Sequence, residues 1–269
     1  MLEGLEKVEN KIESVPILRL TEEGKSNIKD VVVREFPLTI ILNKQELVTL
    51  LCSPTNLKYL AVGFLFSEGL LKSKDEIKKM MVDDRHGVAR LETEGELDID
   101  AFFKRLISSG CGKGASFYSA ADVQSQVQVE SQSEISPREV FGLVSEFQHR
   151  SLTYRATGGV HSAALCDAKN ILVFSEDIGR HNAIDKILGE CILNDISTDD
   201  HIIITSGRIS SEILLKAAKR NIPIIISKSA PTNLGIRLAD DMGITLIGFV
   251  RGKRMNVYTH GWRIKSDGK

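Results

Sequence analysis

One pattern constrains this chain more than any other. In its second half HIIIT, SSEILLKAAKR, IPIIIS, NLGIRLADDM and ITLIGFV follow one another in close order. A run of consecutive isoleucines has no polar side to turn to water, so as a strand it must be covered on both faces. The intervening segments have helical apolar spacing over about three turns. Near-continuous β-branched runs separated by such helices predict an α/β domain built on a mostly parallel sheet covered by helices. Upstream, GGVHSAALCD and NILVFSED read as two further strands, and MNVYTH closes the series. HNAIDKILGECIL reads as a helix with Ile184, Ile187, Leu188 and Cys191 on one side. Ser136-Pro137-Arg138-Glu139 has capping-box spacing with proline at the first helical position, ahead of a face carrying Phe141, Val144 and Phe147.

The first half predicts strands around one helix, a smaller α+β part. VVVREF, LTIILN and ELVTLLC are short strand-like runs, and Ser53-Pro54 opens LKYLAVGFLFSEGLL as N-cap and first residue of a helix. Leu57, Leu60, Val62, Leu65 and Phe66 form its buried stripe. DEIKKMM reads as a second helix, GVARLETEGELDI as a hairpin and DAFFKRLI as a short helix. Residues 121–135 are polar and nearly free of large apolar groups. The expected organisation is a polar segment over 1–25, an α+β part over 26–120, a connection over 121–135 and the α/β domain over 136–269.

Charge and cysteine content narrow the function classes. A net charge of -1 over 269 residues gives no global basic excess, so neither nucleic acid nor an anionic membrane is an expected partner. The opening MLEGLEKVENKIESVPILRL lacks an apolar core, which argues against a secretory signal and for the cytoplasm. Cys52, Cys111, Cys166 and Cys191 are widely spaced, and reduced thiols are expected. Cys52, Cys166 and Cys191 fall in apolar segments and read as core. Cys111 stands in SSGCGKGAS, between glycines and beside Lys113. A thiolate is the nucleophile, and a free thiol of pKa about 8.5 needs cations or a helix N-terminus to lower it. Exposed Lys113 alone is a weak source of that stabilisation. A loop cysteine without a role is the competing explanation.

Ligands of open α/β sheets bind beyond the carboxyl ends of the strands. Four junctions there share one chemistry: Arg180-His181 after NILVFSEDIG, Ser206-Gly207-Arg208 after HIIIT, Lys228-Ser229 after IPIIIS, and Phe249-Val250-Arg251-Gly252-Lys253-Arg254 after LIG. Small or hydroxyl residues beside cations, most of them opening helices, suit phosphate groups. The same residue types are also ordinary N-caps and turns. His161, after Thr157-Gly158-Gly159-Val160, and His181 are candidates for hydrogen bonding a phosphate or moving a proton, or else structural histidines. Asp177 reads as a helix cap and Asp185 as an orienting partner for His181. A Walker A loop is excluded because Gly114 stands where its Ser/Thr should be and no glycine holds the required earlier position.

TGGVHSAAL, EDIGRHNAIDKILG, TSGRISSEILLKAA and GFVRGKRMNVYTH together resemble the formate dehydrogenase accessory sulfurtransferase (FdhD) family, from about VVVREF to the tail. The resemblance implies a cytidine-deaminase-like fold. It also implies a sulfur carrier that takes persulfide sulfur from a cysteine desulfurase for formate dehydrogenase. The recipient is the molybdenum bis(molybdopterin guanine dinucleotide) cofactor, bound as substrate, and a homodimer is carried as an expectation. A non-catalytic chaperone that binds molybdenum cofactor or guanine nucleotide is the alternative. A nucleotide-dependent enzyme using the His and Asp residues ranks below both. Family members commonly carry paired cysteines as CGxC or as neighbours. Here Gly114 replaces the second member of CGxC, or Gly110 the first of a neighbouring pair, so Cys111 would act alone. The zinc-holding H-x-E and P-C-x-x-C elements of deaminases are absent, and no metal is expected.

Overall fold

The computed structural model describes residues 9–94, 106–107, 117–118 and 128–265. Its larger sheet has six strands: β9 (His161–Cys166), β10 (Ile171–Asp177), β11 (Ile202–Thr205), β12 (Ile224–Ser227), β13 (Thr245–Arg251) and β14 (Arg254–Val257). Their spatial order is β10-β9-β11-β12-β13-β14. The isoleucine runs behave as their composition demands. Ile203 and Ile225 face one core while Ile202, Ile204, Ile224 and Ile226 face the other. Helices α4 (Arg180–Leu193), α5 (Ser211–Ala218) and α6 (Asn233–Asp241) cover the first face, and α2 (Pro137–Arg150) covers the second. A short helix, α3 (Leu152–Thr157), links α2 to β9.

The α/β class holds, with one refinement. β11, β12 and β13 pair in parallel, whereas β9 is antiparallel to both β10 and β11, and β14 is antiparallel to β13. The parallel part is therefore the centre of a mixed sheet. Short connections after β9 and β13 allow only hairpins, and helical crossovers join β10 to β11, β11 to β12 and β12 to β13.

Before these come β1 (Ile12–Thr21) and β2 (Gly24–Val33), a long two-stranded hairpin. A second sheet contains β3 (Phe36–Leu42), β4 (Gln45–Cys52), β5 (Ile77–Asp83) and β6 (Val88–Thr93) in the order β4-β3-β6-β5. Its inner face packs on α1 (Leu57–Ser67), and Leu57, Leu60, Val62 and Leu65 are buried as the stripe predicted. Phe66 packs at its margin. β7 (Leu106–Ile107) and β8 (Phe117–Tyr118) form a short antiparallel pair.

Several local expectations are corrected here. VVVREF is not one strand, because β2 ends at Val33 and β3 begins at Phe36. DEIKKMM is a 3-10 turn followed by β5, since β6 offers a hydrogen-bonding partner that outweighs a weak helical pattern. β6 pairs with β5 and β3, and the part of GVARLETEGELDI after residue 94 lies outside the described residues. Of DAFFKRLI, Leu106–Ile107 is strand, and the remainder lies outside the described residues. Helix α1 starts at Leu57 instead of Pro54, with Asn56 as N-cap. Ser53 is engaged elsewhere. Its N–H donates to Asp177 Oδ2 at 3.0 Å, its carbonyl accepts from Lys186 Nζ at 3.1 Å, and its Oγ accepts from Ile178 N at 3.2 Å.

The two sheets meet through α1 and α4. Gly63 and Gly189 lie at the crossing, where a Cβ on Gly63 would sit 1.8 Å from the Asp185 carbonyl oxygen and one on Gly189 1.9 Å from that of Tyr59. Two buried ion pairs flank it. Lys186 Nζ lies 2.6 Å from Asp177 Oδ2, and Lys216 Nζ 2.6 Å from Asp185 Oδ2. Ser67 Oγ donates to Asp185 Oδ1 at 2.6 Å, so α1, α4 and α5 share one carboxylate. The capping box at Ser136 and Glu139 forms as predicted, and Val140, Leu143, Val144 and Phe147 bury α2.

Gly63→Ala should lower unfolding free energy by roughly 3 kcal/mol or more, the upper end for overpacking. Gly142→Ala, on the open side of α2 with nothing within 4 Å, should raise it by about 1 kcal/mol. Urea denaturation midpoints read both. Lys216→Met leaves Asp185 buried without its cation and should cost about 3–5 kcal/mol. The Asp185→Asn, Lys216→Met double variant should recover part of that loss in the same measurement.

Candidate functional site

Beyond the carboxyl ends of β11, β12 and β13 lies a cavity of about 970 Å³, bounded on its other side by α2 and α3. This is near the upper end of the roughly 300–1,000 Å³ usual for small-molecule sites. It draws His161, Ser206, Lys228, Ser229, Arg251 and Gly252 together from four separated segments. Gly158 and Gly159 also line it, as do Gln148, His149, Tyr154 and Arg155, four residues not singled out from the sequence. The position of Arg155 in TYRATGG, just ahead of the glycine pair, is the one signal that could have pointed there.

No aspartate or glutamate lines the cavity among the described residues. Arg155, Lys228 and Arg251 take part in none of the ion pairs of those residues. Burial, and then the neighbouring Arg251, pull the Lys228 ammonium below its ordinary range. Two cations held this close without a carboxylate favour an anionic ligand.

Local backbone devices aim these groups. Phe249 has φ 52, a conformation costly for an aromatic residue, within an irregularity of β13 between Gly248 and Arg251. Its N–H donates to Ser229 O at 3.1 Å, and the Arg251 guanidinium lies 5.7 Å from its ring centre. Such bulges re-aim side chains at sheet rims. Gly252, at φ 59, then opens the two-residue turn into β14. Glu176 fixes the opposite wall by accepting the Thr153 and Tyr154 N–H groups at 3.2 Å each.

His161 is half-buried at the rim of β9. Its Nδ1 lies 3.3 Å from Ser206 Oγ, which also accepts the Ser162 N–H at 3.0 Å. Burial, together with Arg180, His181 and Arg208, pushes the imidazole below its ordinary pKa, while Asp177 acts in the opposite sense.

Other sequence candidates sit elsewhere. Val250 is 1% exposed in the core under α2, so its side chain is unavailable to a ligand. Lys253 and Arg254 are exposed and do not line the cavity, nor do Arg180, His181, Gly207 and Arg208. His181 Nε2 lies 2.6 Å from Glu212 Oε2, and burial holds its pKa down. Asp185 does not orient His181, because its oxygens are taken by Lys216 and Ser67. Asp177 does cap the turn before α4, accepting the Gly179 N–H at 2.9 Å, and carries the buried pair with Lys186 as well. Cys52, Cys166 and Cys191 are buried, and burial pushes each thiol up to about 12. Cys111 lies outside the described residues, which flank it as β7 and β8. Among the described residues no cluster of three or more His, Cys, Asp or Glu could hold a metal, and no helix is long and apolar enough to cross a membrane.

Comparison with known proteins matches this geometry to one group. A model of the FdhD/NarQ family matches residues 33–265. The sulfur carrier protein FdhD of Bacillus subtilis (strain 168) is 48% identical over 247 residues, 91% of this chain and 94% of that one. The sulfur carrier protein FdhD of Staphylococcus aureus (strain MRSA252) is 44% identical over 252 residues, 93% of this chain and 95% of that one. The crystal structure of a protein assigned as a formate dehydrogenase accessory protein from Desulfotalea psychrophila has a TM-score of 0.79 at 26% identity, covering 95% of this chain and 100% of that one. The resemblance carried by the TGGVHSAAL, EDIGRHN, TSGRISSE and GFVRGKR motifs is borne out, and the chain belongs to the FdhD/NarQ family.

Proposed function

We propose that this protein is a sulfur carrier in formate dehydrogenase maturation, that Cys111 bears the sulfur, and that the acid-free cavity holds the guanine-dinucleotide end of the molybdenum cofactor as substrate. Kinship with sulfur carrier proteins supports the carrier role. The observation that carries the ligand assignment is the convergence of Arg155, Lys228 and Arg251 on one cavity without a carboxylate partner among the described residues.

The thiol chemistry follows by elimination among four cysteines. Three have thiols raised to about 12 and are ionised to a negligible extent near neutrality. Cys111, between glycines, is the remaining nucleophile. Its thiolate attacks the outer sulfur of a desulfurase persulfide, forming a new S–S bond as the donor leaves as a thiol. Delivery then requires the cofactor to be held by its phosphates while its metal end stays accessible. Lys228 and Arg251 suit that role because charge-assisted hydrogen bonds to phosphate oxygens are short and strong.

Incubation with a cysteine desulfurase and cysteine should add one reductant-labile sulfur, about 32 Da, to the wild-type mass, the signature of a reversible persulfide. Cys111→Ser should lose both the adduct and formate dehydrogenase activation. Full activation by the serine variant would instead favour a chaperone that holds the cofactor without carrying sulfur.

Calorimetry with guanosine diphosphate tests the cavity. Lys228→Ala and Arg251→Ala should each weaken binding by about 1.5 kcal/mol or more, as expected for lost charge-assisted bonds. Lys253→Ala, outside the cavity, should change it far less. Equal effects at all three positions would point to a diffuse surface field.

A further inference from the structure

Ser206 and His161 form a contact that phosphate binding by cations does not require. Ser206 Oγ accepts the Ser162 N–H at 3.0 Å, and the Ser206 N–H in turn donates to the Ser162 carbonyl at 3.0 Å, so the serine is pinned to β9 through both its backbone and its side chain. Its hydroxyl hydrogen has one acceptor among the described residues, His161 Nδ1 at 3.3 Å. A hydroxyl that donates to Nδ1 requires that nitrogen to be unprotonated. The proton of the neutral ring is then on Nε2, and His161 is among the residues that line the cavity.

We propose that Ser206 is a positioning residue that sets His161 as the neutral Nε2–H tautomer, and that His161 reads an anionic diphosphate oxygen of the bound ligand, taking up a proton as it does so. This rests on the assignment of the cavity to a diphosphate-bearing ligand and adds a role that the cations cannot perform. Arginine stays charged throughout the physiological range, so it attracts the ligand without reporting on it.

The charges around the ring give the direction of the proton. In the free protein it faces Arg180 and His181 from α4, Arg208 from the turn before α5, and Asp177 from the end of β10. Lys228 and Arg251 share the cavity with it, as do Arg155 from α3 and His149 from α2. Cations dominate that set, and together with burial they keep the ring neutral. A diphosphate against Nε2 reverses the local field and favours the imidazolium, which raises the pKa in the complex. Between the free value, below the ordinary 6.5, and the higher bound value the complex holds more protons than its separated components. Affinity therefore falls as pH rises through that window, by up to tenfold per pH unit, and is independent of pH on either side.

Two measurements decide the matter. In the free protein, nitrogen NMR of 15N-labelled histidine, with His161→Gln identifying the signal, should show the Nε2–H tautomer at neutral pH. Ser206→Ala should lose that preference and Ser206→Thr should keep it. An Nδ1–H tautomer in the wild type, or an unchanged tautomer in Ser206→Ala, would overturn the positioning role. Binding is read by calorimetry with GDP-mannose, whose diphosphate diester does not itself titrate near neutrality, in buffers of different ionisation heat. The wild type should take up as much as one proton, and His161→Gln should bind with none. Uptake that is absent from the wild type, or unchanged in His161→Gln, overturns the proton-linked contact. Failure of GDP-mannose to bind the wild type at all would refute the cavity assignment and the contact with it, while the tautomer still decides the part played by Ser206.

Discussion

The crossing of α1 and α4 holds the rest of the structure together. Each helix approaches the other's backbone at a glycine, Gly63 on one and Gly189 on the other, with no room for a methyl group at either point. Contact this close leaves nothing to hydrate the polar groups beside it, and those groups satisfy one another. Asp177, Lys186 and Ser53 form one set; Asp185, Lys216 and Ser67 form the other. Buried charges are tolerated only when paired and hydrogen-bonded, so these sets specify one docking of the helices more than they add stability.

That docking is felt at the candidate site. Asp177 ends β10, one strand away from His161, and caps the turn into α4, so the ion pair that anchors Ser53 also fixes the rim of the sheet. β2 reaches the same rim from the first half of the chain. A Cβ on Gly159 would meet Val33 at 2.7 Å, and Lys11 approaches buried Glu176 at 3.8 Å. Glu176 in turn holds the start of α3, which carries Tyr154 and Arg155 into the cavity wall. The N-terminal hairpin thus supports a site whose polar groups come from the C-terminal half.

The cavity is also a study in unequal neighbours. Cations at four successive junctions invite the reading of one continuous phosphate-binding edge. In three dimensions the edge has two sides. Lys228 and Arg251 turn toward α2 and α3, whereas Arg180 and His181 belong to α4, where Glu212 occupies the histidine and the stem of Arg180 lies against Gly207. Whether a junction residue enters the cavity depends on which face of the sheet its side chain leaves from. A single step along a strand reverses that face.

Sequence alone determined the elements whose causes are local. The isoleucine runs, the capping box at Ser136 and the apolar stripe of α1 report interactions within a few residues, and each stands where its pattern put it. The motifs also identified the family, since their order and length survive without knowledge of contacts. Elements that needed a distant partner were misread. Ser53 looked like a cap because its partners, Asp177 and Lys186, lie more than a hundred residues away. DEIKKMM became a strand because β6 was there to pair with it. The irregularity of β13 ahead of Arg251, the serine beside His161, and the choice of Lys228 over Arg180 for the cavity were decided by tertiary structure. Each depends on which strand lies alongside which, and a hydrophobic period records that a face is buried without recording what buries it.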